Sequence, residues 1–173
     1  MKPTTENNQR GLRFKLLLTS PQGRSAERLV LDGYRGWRRG LAARDMDALE
    51  RIWKQFEAIL GDSSAALAFS AMADFVHALD LCSSCPLRGR AVDDARLHPD
   101  EALVIGLVST LQNDDTRTAE FCLNALTCAS RCQEVGGAAS MLAMALKSGG
   151  HTLLPASIEL QQPLHTPINQ TVH

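Results

Sequence analysis

The stretch MDALERIWKQFEAIL, Met46–Leu60, decides the fold class. Leu49, Ile52, Trp53, Phe56 and Leu60 recur at the three- and four-residue spacing that lines one face of an α-helix, and charged residues fill the other face. Asp45 or Asp47 offers the N-cap and Gly61 the stop. Outward in both directions the helical period continues. Downstream, a helix begins near Asp62 or Ser63 and runs to about Cys82, with Leu67, Ala68, Ala71, Met72, Phe75, Val76, Ala78, Leu79 and Cys82 on one half of its wheel. Upstream, Ser25 caps a helix over Ala26–Ala43 whose apolar positions are Leu29, Val30, Tyr34, Trp37 and Leu41. Gly33, Gly36 and Gly40 share a side of it, which lets a second helix approach closely, although each glycine costs about 1 kcal/mol against alanine in a helix interior.

Beyond Cys82 the period fails. Residues 83–97, SSCPLRGRAVDDARL, form the longest internal loop, and loops of about 12 to 15 residues without structure of their own are often functional. Pro99, Asp100 and Glu101 suit the first turn of a fourth helix, followed by the apolar run Leu103–Leu111. A fifth helix is expected from Asp115 or Thr116 to about Glu134, ended by Gly136 and Gly137, and a short sixth over Ala138–Lys147. The chain reads as an all-α, single compact domain of five to six mostly antiparallel helices over residues 25–150. A flexible basic arm (1–24), in which Leu12–Leu18 could order as a short extended piece, precedes it. An extended or disordered tail (151–173) follows it.

Composition agrees with a globular domain: 45% of residues are hydrophobic and 21% charged. No run matches a signal peptide, and no window approaches the roughly 18 apolar residues of a membrane span. Five cysteines without an export signal are read as reduced thiols in the cytoplasm. The net charge of −1 hides an asymmetry, since residues 1–54 hold 12 Lys and Arg against 6 Asp and Glu, and the remainder 6 against 13. Opposite patches of this kind suit self-association or an acidic partner.

Three sets of residues could carry chemistry. Cys82 and Cys85 make a C-x2-C, and Cys122, Cys128 and Cys132 follow; a metal set of Cys82, Cys85, Cys122 and Cys128 would hold zinc or an iron–sulfur cluster. Against it, all three later cysteines fall on the apolar side of a helix running to Glu134, where free cysteine packs as a small hydrophobe. A redox role for Cys82 is opposed by its place at a helix C-terminus, which disfavours thiolate. His77, flanked by Asp74 and Asp80, reads as part of a solvated helix face. The third set is basic: GYRGWRRG, Gly33–Gly40, mixes aromatic residues with arginine, and Arg28, Arg35, Arg38 and Arg39 are the candidate interaction residues, for a partner or for nucleic acid.

No phosphate-binding glycine loop, nucleophile elbow or zinc-protease motif is present, which points away from catalysis. The sequence therefore predicts a cytoplasmic helical protein that works by association, as a regulatory or adaptor module and a homo-oligomer, with no cofactor. Self-association is expected from the apolar fourth helix and the small-residue surfaces of the first and sixth. The alternatives are a metal or thiol-redox protein built on the C-x2-C pair with cysteines of the fifth helix, and nucleic-acid binding through the basic first helix.

Overall fold

The computed structural model describes residues 12–15, 21–82, 87–91, 94 and 96–160. Six α-helices make up the body: α1 Pro21–Ala43, α2 Met46–Leu60, α3 Asp62–Cys82, α4 Pro99–Gln112, α5 Thr116–Leu126 and α6 Cys132–Ser148. Strand β1, Leu12–Lys15, pairs antiparallel with β2, Ser157–Leu160, bringing Leu12 opposite Leu160. The all-α reading holds. Within it, the stretch expected as arm contributes β1 and the first turn of α1, because Pro21 fits the first helical position and the helix starts there, ahead of Ser25. Residues 1–11, 16–20 and 161–173 of the expected arm and tail lie outside the described residues.

Tight turns make the early helices neighbours. At Arg44 the backbone is left-handed (φ 52°), and Asp45 then accepts the Ala48 N–H at 3.0 Å, ending α1 and capping α2. The same device joins α4 to α5: Asp114 is left-handed (φ 56°), and Asp115 accepts the Thr118 N–H at 3.1 Å. In both, the aspartate donates its own N–H to a carbonyl in the last turn of the preceding helix, Gly40 or Thr110, while its side chain accepts the N–H of the third residue of the next.

α1, α2 and α3 pack in sequence, α3 lies along α6, and α4 rests on α5 and α6. The glycine side of α1 is where α2 and α3 dock. A β-carbon at Gly33 would lie 2.9 Å from Met72 Cε, one at Gly36 2.6 Å from Ile52 Cδ1, and one at Gly40 2.6 Å from Leu49 Cδ2. Trp37, Trp53 and Phe56 surround Phe69 with ring centroids 5.0, 5.3 and 5.9 Å away, joining the three helices through edge and tilted contacts. Val104, Ile105, Leu107 and Val108 of α4 are buried in the same core. Among the described residues one helix, Asp62–Leu81, has the length and mean hydropathy (1.2) of a membrane span, which the apolar count along the sequence did not flag. Ala65, Ala68, Met72, Phe75, Val76 and Leu79 on it form the centre of this chain's own core.

The expected fifth helix is two. Thr127 is extended (φ −133°, ψ 165°), its hydroxyl donating to the Leu123 carbonyl at 3.0 Å, and a 3-10 turn over Ala129–Arg131 leads into α6. A threonine that bonds its own backbone competes with the helical ladder. Gly136 and Gly137, expected as a stop, lie inside α6; Gly136 is where α5 crosses, a β-carbon there standing 3.3 Å from Leu123 Cδ1.

After Gly150 the chain stays on the core. Gln112, buried at the end of α4, donates to the carbonyls of Ala143 (3.0 Å) and His151 (3.1 Å) and accepts the Leu153 N–H at 2.7 Å. Leu153 is buried, Ser109 Oγ donates to the Leu154 carbonyl, and the Leu154 N–H reaches Glu27 Oε1 of α1 at 2.8 Å. Residues 151–156 are thus extended but docked.

Two glycine substitutions should move stability in opposite directions. Gly36→Ala forces Ile52 to move and is expected to destabilise by about 1 to 3 kcal/mol despite alanine's better helix propensity. Gly137→Ala, with nothing within 4 Å of the new methyl, should stabilise by about 0.5 to 1 kcal/mol. Urea unfolding followed by circular dichroism measures both.

Candidate functional site

The described residues of the 83–97 loop are held down by one buried ion pair. Arg35, from the middle of α1, donates through Nε to Glu101 Oε1 at 2.7 Å and through Nη2 to Oε2 at 2.8 Å, and both side chains are sealed from solvent (1% and 0% exposed). The same guanidinium donates to the carbonyls of Asp94 (2.7 Å) and Arg96 (2.8 Å). Glu101 also accepts the N–H of Arg90 at 2.9 Å and that of His98 at 2.8 Å, so both oxygens are doubly bonded to donors. Glu101 holds this place because it is the third residue of α4. From there it reaches back to the N-cap, His98, whose Nδ1 in turn accepts the Asp100 N–H at 3.2 Å. Asp100 accepts the Arg88 N–H at 2.7 Å. Burial pushes the Glu101 carboxyl up, but Arg35 and the two backbone donors together outweigh it and hold it below the ordinary value.

Beside this clasp, α1 and the 87–91 segment leave a cleft of about 360 Å³ lined by Tyr34, Arg35, Arg38, Arg39, Leu87, Gly89 and Arg90. Arg38 lies over the Tyr34 ring, 5.5 Å from its centroid, and donates to the Tyr34 hydroxyl at 3.3 Å. Burial pushes the Tyr34 phenol up to about 12, with Arg38 offsetting part of the rise, so it stays protonated at neutral pH. The cleft arginines are loosely neutralised. Arg38 Nε is 3.8 Å from Asp80, Arg39 Nε 3.8 Å from Asp45, and Arg90 Nη1 3.5 Å from Asp94, all longer than the roughly 2.7 to 2.9 Å of a charge-assisted hydrogen bond. Asp94 is engaged chiefly by Arg96, whose side chain and N–H hold its carboxyl well below the usual range. Arg90 Nε is buried with no acceptor among the described residues.

The four arginines singled out in the sequence therefore separate. Arg38 and Arg39 face the cleft; Arg35 is sealed beneath it by Glu101; Arg28 is paired with Asp32 one turn along its own helix at 2.9 Å. Among the four, Arg35 is withdrawn from the surface, and Arg38 and Arg39 open onto a local cleft. Arg90 is the residue that sequence reasoning missed. Its only signal was membership of a long loop, and its direction is set by a contact between residues far apart in the chain.

The cysteines do not fall as the single-helix wheel placed them. Cys122 is buried in α5, and burial pushes its thiol up to about 12. Cys128 lies past the break at Thr127, its Sγ 3.4 Å from Ser130 Oγ, and Cys132 opens α6 with its Sγ 2.9 Å from Thr127 Oγ1. Cys82 is the last residue of α3, and Cys85 lies outside the described residues. Among the described residues no three His, Cys, Asp or Glu side chains are grouped to hold a metal ion. His77 is on the exposed face of α3, as read from the sequence.

Compared with protein-family models, with curated proteins and with solved structures, the chain matches none.

Glu101→Gln leaves Arg35 buried without its counter-charge and should cost about 3 to 5 kcal/mol in urea unfolding. Because the folded carboxyl lies below its ordinary value of 4.5, the stability it contributes is complete above that value and lost as pH falls through the folded value. Wild type should thus lose stability below about pH 4.5 more steeply than Glu101→Gln. Cys122, a neutral buried thiol at pH 8, should resist iodoacetamide until the chain is unfolded, as read by mass spectrometry of the alkylated peptides.

Proposed function

We propose that the protein is a cytoplasmic association module whose cleft between α1 and the 87–91 segment receives an acidic segment of a protein partner. The observation that supports this is the convergence of Arg38, Arg39 and Arg90 on one cleft, each held by a carboxylate no closer than 3.5 Å. Loosely neutralised guanidinium groups retain donors for a second anion, and exchanging a long contact for a short one is favourable. The lining also suits binding better than catalysis: arginines and a phenol at about 12 supply fixed charge and donors, but no group that takes up and releases a proton near neutrality. Two arginines of the basic first third of the chain, Arg38 and Arg39, thereby meet Arg90 of a distant loop at one place.

The test is fluorescence anisotropy with a glutamate-rich peptide, a lysine-rich peptide of equal length, and the variant R38Q/R90Q. Wild type should bind the acidic peptide alone, weakening as salt rises, and the variant should lose at least about tenfold in affinity with its melting midpoint preserved. Equal binding of both peptides, or no effect of the double substitution, overturns the reading.

Self-association is a second reading, carried by a different surface. The apolar run of α4 and the glycines of α1, from which it was expected, are occupied within the chain. On α6, however, Met141 and Met144 remain 54% and 65% exposed on the face that includes Gly137. Met141→Lys with Met144→Glu should convert an oligomer to a monomer in light scattering; a wild-type monomer at micromolar concentration overturns this reading.

A further inference from the structure

The cleft's donors are arranged for more than a carboxylate, and from them we infer, resting on the association reading above, that the group it takes is a phosphomonoester dianion.

Three guanidinium groups approach from two elements, Arg38 and Arg39 from α1 and Arg90 from the segment facing it. The carboxylates that balance them have other engagements. Asp45 caps α2 through the Ala48 N–H and is also 3.9 Å from Arg51, and Asp94 is bound by Arg96 through side chain and N–H. Asp80, 41% exposed at the end of α3, is left 3.8 Å from Arg38. The cleft therefore carries positive charge that these partners only partly balance. A planar carboxylate has two oxygens and is matched by one guanidinium edge. A phosphoryl group spreads about two negative charges over three terminal oxygens in a tetrahedron, giving guanidinium groups on separate elements an acceptor each.

Two further features belong to an oxyanion site. Arg90 Nε is buried without an acceptor among the described residues, a donor the fold leaves unspent, and a turn of the side chain toward the cleft would present the Nε edge, the one that grips two oxygens side by side. Gly89 leaves the cleft wall bare beside Arg38: a β-carbon there would lie 3.5 Å from Arg38 Nη1. The N–H groups on either side of Gly89 are already given to Asp100 and Glu101, while its own has no acceptor among the described residues. The buried clasp fixes this arrangement, because Arg90 is tied to Glu101 through its backbone, leaving its side chain to the cleft. With Leu87 as the lining's aliphatic side chain, affinity would come from charge and geometry rather than apolar burial.

The experiment uses the full chain and one labelled peptide in three versions, carrying serine, phosphoserine or glutamate at its centre. Inorganic phosphate serves as competitor. The phosphoserine peptide should bind at least about tenfold more tightly than the glutamate version, and R90Q and R38Q, made singly, should each abolish that preference while Arg28→Gln leaves it intact. Displacement by millimolar inorganic phosphate identifies a free phosphomonoester as the ligand; a phosphopeptide that phosphate does not displace identifies a protein-borne one. Either upholds the inference. Equal affinity for phosphoserine and glutamate versions overturns it while leaving the acidic-partner reading in place. If neither binds above the serine peptide, both fall.

Discussion

A single buried arginine–glutamate pair ties the described part of the long 83–97 loop to two helices. Arg35 and Glu101 lie 66 residues apart in the chain, yet between them they hold the backbone of Arg90, Asp94, Arg96 and His98. A stretch with neither helix nor strand cannot satisfy its own N–H and C=O groups, so it must find donors and acceptors elsewhere. Here a carboxylate and a guanidinium supply both kinds in one place. The pair is costly to desolvate and is offset only because its remaining lone pairs and protons are also used. That cost makes the pair sensitive to substitution: removing either member leaves a charge unpaired in the interior.

The same economy of polar groups recurs at the other end of α4. Gln112 binds Ala143, His151 and Leu153 together as Glu101 binds the preceding loop, so α4 is clamped at both ends by a buried side chain of its own. Between the clamps its residues are mostly apolar and buried almost all round, with Ser109 and Thr110 bonded to carbonyls. The helix acts as an axle on which the irregular segments are hung. Glu27 is the weaker counterpart on α1. One of its oxygens accepts the Leu154 N–H, the other has no partner among the described residues, and burial raises its carboxyl above the ordinary value.

The cleft is a by-product of that clamping put to a different use. Once Glu101 has taken the backbone of Arg90 and the side chain of Arg35, the side chain of Arg90 and those of Arg38 and Arg39 have no equally good partner, and they line the same opening. Tyr34 underneath serves both parts, filling the core with its ring and steadying Arg38 with its hydroxyl. Structure and charge are thus separated by a single turn of α1, Arg35 facing inward and Arg38 and Arg39 outward.

Helices α2, α3 and α4, the caps at Asp45 and Asp115 and the close approach along Gly33, Gly36 and Gly40 were legible in the sequence, because apolar period, capping residues and glycine spacing are local properties; the Ser25 cap was not kept, since Pro21 starts α1 earlier. The end of α5 was not. Whether Thr127 breaks a helix, or Gly136 and Gly137 do, depends on which segment finds a neighbour, and the crossing of Leu123 over Gly136 decides it. Nor could the sequence separate Arg35 from Arg38 and Arg39. All are arginines on one basic helix, and the difference is a carboxylate that arrives from α4. Electrostatic pairing across 66 residues is a property of the assembled chain, so tertiary structure alone determined which arginine holds the fold and which ones face an opening.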